Sequence, residues 1–253
     1  MTPWTNDVLV VLLIMLRIIP IFMSSAMTPL SRLPTTSKVM MLIIFSIMTS
    51  VIVPTKADMV IETMFEFVYL ASYELLLGIA FAFGLQAAIA SLQTMGRVID
   101  MQIGFGAAGI IDPKTSNSES LIGTLLMMVS LVLFFELNLH HDLLMILLWS
   151  FNKVPVGSLS SSIDFWLLLS TLSQQFFLAL VLALPVILTL LVLDALIGFV
   201  AKTMPQMNIY FVGLPLKIAV GLIAFTISAR LMYPAFESIF EEVKSFWHQW
   251  GGA

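Results

Sequence analysis

The stretch Gly96–Ser120, GRVIDMQIGFGAAGIIDPKTSNSES, is the longest interruption in an otherwise oily chain of 253 residues. Gly104, Gly106 and Gly109 fall within six residues, and Asp112-Pro113 and a run of small polar residues follow. The sequence on both sides reads as apolar helix. Non-helical backbone cannot face lipid, because its N–H and C=O groups find no partners there. Such a stretch must be buried in protein or line a watery cavity.

Composition supports a membrane setting. Apolar residues make up 60% of the chain and charged residues 10%, against about 25% in an ordinary soluble domain. Mean hydropathy is +1.05. The formal charge of −4 comes with no basic patch, so nucleic acid is not an expected partner. With no cysteine, disulfides, thiolate catalysis and Cys-held metals are excluded. The 17 methionines read as adaptable apolar filler. The N-terminal residues carry Asp7 and no early Lys or Arg, so they are expected to stay on the mature protein.

Outward from the central stretch, helical segments follow one another. Val8–Met23 is an apolar run broken by Arg17 and stopped by Pro20, and Val39–Val53 is a second, ended by Pro54. Each is about 15 residues, short of the roughly 20 a perpendicular span needs, so they extend through their flanks or are not simple spans. Phe65–Met95 is the third, with Ala80, Gly84 and Ala88 stacked on one face as a seam for close helix approach. Leu121–Leu139 follows, with Asn138–Asp142 as its polar end, then a short segment Leu143–Phe151. Beyond a serine-rich linker at 158–162, Ile163–Ala201 is apolar for nearly 40 residues, about 58 Å as one helix, with Pro185 expected to kink or divide it. Ile209–Tyr233 runs back, interrupted by Pro215 and Lys217, and the tail with Trp247 and Trp250 suits a membrane–water interface. No period-2 alternation occurs, so the fold class is all-α.

Two motif-like fragments carry no chemistry. Gly104-x-Gly106-x-x-Gly109 matches a dinucleotide fingerprint, but it follows a helix rather than a strand and has no acidic ribose ligand at the right distance. His140-His141-Asp142 resembles a metal fragment, but neighbouring helical residues point about 100° apart. No cofactor, metal or catalytic group is expected.

Single charges in apolar segments are more telling. Arg17, Glu74, Asp194, Lys217 and Arg230 would each cost about 2.5–3.5 kcal/mol at a helix centre, so each needs a partner or a cavity. If the last two helices form a hairpin turning near Gln206, Asp194 lies twelve residues before the turn and Lys217 eleven after it. An Asp194–Lys217 contact follows. Asp194, Gly198 and Lys202 share one face, and Gly213, Lys217 and Gly221 another, so the glycines are expected to let the helices close around the pair. The competing expectation gives each charge a different partner, in this chain or in another subunit.

Met204-Pro205-Gln206-Met207-Asn208-Ile209-Tyr210-Phe211-Val212-Gly213-Leu214-Pro215-Leu216-Lys217 resembles the P-Q-M-N-x-F/Y-F-x-G-x-P-x-K block of the FliR family, a component of the flagellar type III protein export gate. Gly96 to Gly104 with Asp112-Pro113 resembles that family's G-x-x-I-D-x-Q-x-G…D-P block. Asn138–His141 is similar to its N-G-H-H, with Leu139 in place of glycine, and Ser150-Phe151-x3-Pro155-x-Gly157 to its S-F-x3-P-x-G. The resemblance covers nearly the whole chain.

The resemblance implies a subunit of the bacterial inner membrane and flagellar basal body. It joins FliP and FliQ in a closed helical cone, with FlhB and FlhA associated, and unfolded flagellar proteins pass through the pore. It further implies a FliP-like part over residues 1–162, holding a plug loop at 104–120, and a FliQ-like hairpin over 163–253 with its turn near 203–208. Lys202, Pro205, Gln206, Asn208, Gly213 and Pro215 would join Asp194 and Lys217 in hairpin and subunit packing. Phe105, Ile110 and Ile111 suit an apolar, dewetting plug, with Ala107 among them and Gly104, Gly106 and Gly109 giving the bends. The alternatives are the virulence secretion homologue and, in another class, a secondary transporter using Glu74, Asp194 and Lys217 as ligands.

Overall fold

A computed structural model describes residues 3–23, 34–53, 63–105, 120–158, 164–204 and 209–251. Among them are seven helices and no strand: α1 Pro3–Met23, α2 Thr35–Ile52, α3 Met64–Ile103, α4 Leu121–Glu136, α5 Leu139–Lys153, α6 Phe165–Thr203 and α7 Ile209–Gly251. The chain is all-α, as its pattern predicts. Four helices (α2, α3, α6 and α7) are long and apolar enough to cross a membrane.

Several boundaries differ from expectation, and backbone pairing explains them. Pro20 does not stop α1, Pro185 does not divide α6, and Pro215 and Pro234 both lie inside α7. Each proline removes one N–H donor, whereas ending a helix in an apolar setting would orphan several backbone groups at once. The central interruption is shorter than expected. Gly96–Ile103 continues α3, which runs for 40 residues. His140, His141 and Asp142 open α5 rather than close α4, because Asn138 takes a left-handed φ of 56° and the chain turns there. Leu139 is therefore a buried helical residue, and a side chain in place of glycine meets no backbone strain at that position.

The chain divides into two compact units. The first gathers residues 1–87, 134–173 and 241–253. In it α1 packs on α2, with Phe22 and Phe45 rings 5.6 Å apart. Gly78 lets the backbone of Arg17 approach, since a Cβ there would lie 2.2 Å from the Arg17 carbonyl oxygen. Ala80 and Gly84 are buried, as is Ala88 of the second unit, and Gly84 receives the ring of Phe246. Trp247 departs from its expected interfacial place. It is fully buried, stacks on Phe81 with centroids 5.5 Å apart, and its Nε1–H donates to the Phe81 carbonyl at 3.1 Å. An indole is buried where its one donor finds an acceptor.

The second unit gathers residues 88–133 and 174–240. Its α6 and α7 segments run antiparallel. The Gln175 amide donates to the Ile239 carbonyl at 3.0 Å, Leu190 meets Gly221, and Asp194 meets Lys217. In each pair the two residues lie at nearly equal sequence distances from residues 205–208.

Candidate functional site

Asp100 joins the end of α3 to the start of α4, within the second unit. Its backbone carbonyl accepts the N–H of Gly104 at 3.1 Å and of Phe105 at 3.0 Å, closing the last turn of α3. Gly104 has φ +103°, a conformation glycine adopts without a Cβ clash, and the chain leaves the helix there. The Asp100 carboxylate reaches the start of α4. Both oxygens lie 3.2 Å from the Ile122 N–H, and the Ser120 hydroxyl donates to Oδ2 at 2.5 Å. Ser120 Oγ in turn accepts from the Gly123 N–H at 2.8 Å, a capping arrangement that serves the otherwise unpaired first amides of α4. Asp100 is buried, and these donors together with the positive end of α4 meet its charge.

Two glycines make this possible. A Cβ on Gly96 would lie 2.3 Å from the Gly123 Cα, so the backbones of α3 and α4 touch there. Neither Asp100 nor Ser120 was expected at the site. The signal was present in the sequence, as a lone acid four residues before Gly104 and a serine directly before an apolar run.

Of the expected plug residues, Gly104 and Phe105 are described and both are half-buried. Gly106, Ala107, Gly109, Ile110 and Ile111 lie outside the described residues. So do Pro205, Gln206 and Asn208 of the expected turn.

The hairpin residues are placed more fully. Lys217 Nζ lies 2.6 Å from Asp194 Oδ1, the contact expected from their spacing, with side chains 23% and 50% exposed. Gly213 is buried, while Pro215 and Lys202 are exposed. Gly221 makes a close approach, with a Cβ there lying 2.6 Å from Ile103. Gly198 does not, since nothing lies within 4 Å of its Cβ position. The expectation that the α6 glycine closes the hairpin around the ion pair is thus corrected.

The first unit holds a second buried polar centre that spacing did not pair. Arg17 Nε donates to Glu74 Oε2 at 2.6 Å, with side chains 2% and 1% exposed. The rest of the guanidinium donates to the carbonyls of Ser150 at 3.3 Å and Val154 at 3.1 Å, and lies 4.3 Å over the Phe151 ring. These carbonyls end α5, where a cation is favourable. Glu74 Oε1 accepts the N–H of Gly157, whose φ is +78°. Ser150-Phe151-x3-Pro155-x-Gly157 is therefore the seat of one ion pair: two carbonyls, a ring and a glycine amide. Glu74 is committed to structural partners on both oxygens.

The rings of His140 and His141 lie 4.3 Å apart, and Asp142 pairs with Lys244 at 2.7 Å. Among the described residues no group of three His, Asp or Glu side chains is placed to hold a metal ion.

Known proteins share this pattern along most of the chain. The family described as bacterial export proteins, family 1, matches residues 8–243. The flagellar biosynthetic protein FliR of Bacillus subtilis strain 168 is 31% identical over 179 residues, 69% of each chain. That of Escherichia coli K12 is 32% identical over 176 residues, covering 69% of this chain and 67% of the relative. That of Aquifex aeolicus is 29% identical over 186 residues, covering 72% and 70%. The all-helical fold, the four spanning-length apolar helices and this similarity lead to one conclusion: the chain belongs to the FliR family of bacterial export proteins and is an inner-membrane subunit of the flagellar export apparatus.

Proposed function

We propose that the chain joins FliP and FliQ subunits to form the pore through which unfolded flagellar proteins cross the inner membrane. In this reading residues 1–162 act as a FliP-like part and residues 163–253 as a FliQ-like hairpin. FlhB and FlhA associate with the assembly, and the 104–120 segment plugs the closed gate. The supporting observation is the uncovered surface of the hairpin. Leu191, Val192, Leu196, Phe199, Phe211 and Val212 are exposed around a half-exposed ion pair. Apolar side chains alone would suit lipid, but an exposed Asp–Lys pair among them would not, at about 2.5–3.5 kcal/mol per charge. Protein neighbours that are apolar with a few polar contacts satisfy both. For the plug, support comes from the convergence of both loop ends on Asp100.

The role of the loop is tested by deleting residues 104–111 and measuring ion permeability of inner-membrane vesicles that contain the assembled complex. The plug reading expects leakage, and unchanged permeability with normal assembly refutes it. The assembly role is tested by affinity purification in mild detergent. The tagged chain should bring down several different small membrane proteins, whereas recovery alone or as a homo-oligomer would favour a transporter.

A further inference from the structure

We propose that Arg230 and Lys202 bind phospholipid phosphates at the two faces of the membrane and so fix the depth of the α6–α7 hairpin. These contacts hold whether or not the chain lines a pore.

Charge pairing sets these two residues apart. Within the second unit, the charged residues of α6 and α7 are Asp194, Lys202, Lys217, Arg230 and Glu237. Asp194 and Lys217 pair with each other at 2.6 Å. Arg230 and Lys202 are exposed, and neither has an ion-pair partner among the described residues. A lone cation on an apolar surface calls for an anion from outside the chain.

Their spacing says which anion. Leu190 meets Gly221 and Asp194 meets Lys217, a step of four residues on each helix. The same register puts Lys202 at the level of residue 209, and Arg230 lies 21 residues further along α7. At 1.5 Å per residue that is about 32 Å, close to the roughly 30 Å of a bilayer's hydrocarbon core. Between the two levels Leu188, Leu196, Phe199, Val212, Ile223 and Ile227 are exposed. Past Arg230 the character of the hairpin changes. Tyr233 is exposed one turn on, an aromatic with a polar tip of the kind that sits among headgroups. Glu237 follows, and the Gln175 amide donates to the Ile239 carbonyl at the same end. Arg230 is thirteen residues from Lys217, about 140° around the helix, so it points away from the flank assigned above to protein neighbours. Both side chains have long apolar stems that carry the charge outward, and a guanidinium fork matches phosphate oxygens. A carboxylate on a partner helix would require neither the bilayer spacing nor the change of surface at Tyr233.

The test has two arms, both on the chain in its assembled complex. In the first, the complex is extracted from membranes of phosphatidylethanolamine and phosphatidylglycerol, and native mass spectrometry counts the phosphatidylglycerol it retains. Arg230→Gln and Lys202→Gln should each lose one bound lipid, and the double variant should lose both. Arg230→Lys should keep its lipid, and recovery of the complex should be unchanged throughout. In the second arm, a nitroxide label is placed through Ile223→Cys or Ser238→Cys, in a chain that has no cysteine of its own. The label at 223 should be reached by oxygen and the label at 238 by a water-soluble nickel chelate. An unchanged lipid count in both glutamine variants overturns the proposal. If complex recovery falls in Arg230→Gln while the lipid count holds, the counter-charge is a protein carboxylate and the proposal is equally overturned. Nickel access to both labels overturns it too, because the hairpin then lies outside the hydrocarbon core. Should Arg230→Gln fail to assemble, Lys202→Gln and the two labels decide, and full lipid retention in Lys202→Gln refutes the anchors.

Discussion

Glu74→Gln leaves the Arg17 guanidinium buried without its anion. Removing one partner of a buried pair destabilises by about 3–5 kcal/mol, since the remaining charge stays desolvated. The variant should show a clearly lower midpoint in thermal unfolding in detergent, and an unchanged midpoint would mean that the pair is hydrated in solution. The double replacement Arg17→Met with Glu74→Leu should recover only part of the loss. An apolar pair removes both charges, but it leaves the Ser150 and Val154 carbonyls and the Gly157 N–H without these partners. Unmet buried groups of that kind cost about 1–3 kcal/mol each. Full recovery in the double variant would show that the backbone groups find other donors and acceptors.

At the scale of elements, the α6–α7 hairpin separates what stabilises the chain from what serves its neighbours. With Asp194 half exposed, the ion pair contributes roughly 0–1 kcal/mol in water, so its effect is expected in assembly rather than in folding. Asp194→Lys and Lys217→Asp should each lower recovery of the complex, and the two together should restore it. A swap that rescues neither single variant would mean that each charge answers to a separate partner. Gly198 provides an independent probe. Nothing lies within 4 Å of its Cβ position, so Gly198→Ala should stabilise the isolated helix by about 0.5–1 kcal/mol. If a partner helix packs on that face, the same change lowers complex recovery. Enhanced stability with normal assembly would place Gly198 away from any subunit interface. Gly221→Ala should behave oppositely, destabilising the chain itself through Ile103 and Leu190.

At the scale of the molecule, the large apolar surface sets the behaviour of the chain outside its assembly. Phe177, Leu188, Ile223, Ile227 and Leu231 are among many exposed side chains on α6 and α7. A partner that binds only the folded chain stabilises it by mass action. Thermal unfolding of the co-expressed complex should therefore occur at a higher temperature than that of the chain purified alone, and the difference should shrink on dilution. Equal midpoints would argue that lipid or detergent covers the same surface just as well.

The sequence by itself determined the helical class, the membrane setting and the family. Composition, the absence of period-2 patterning and local blocks such as the one ending at Lys217 are properties of neighbouring residues. The Asp194–Lys217 contact was legible for the same reason, because a hairpin turns linear spacing into depth. Prolines do not set the helix ends here, because their local penalty is smaller than that of orphaned backbone in an apolar medium. Only the tertiary structure decided that Arg17 meets Glu74 at the end of α5, that Trp247 is buried against Phe81, and that Gly96 lies against Gly123. Those contacts join residues far apart in the chain, and no spacing rule specifies which of several lone charges or glycines will meet. The glycine-rich stretch shows both sides of this. Its glycines announce a turn, but the residue that holds its two ends is Asp100, because folding brings the start of α4 to the end of α3 and leaves a carboxylate between them.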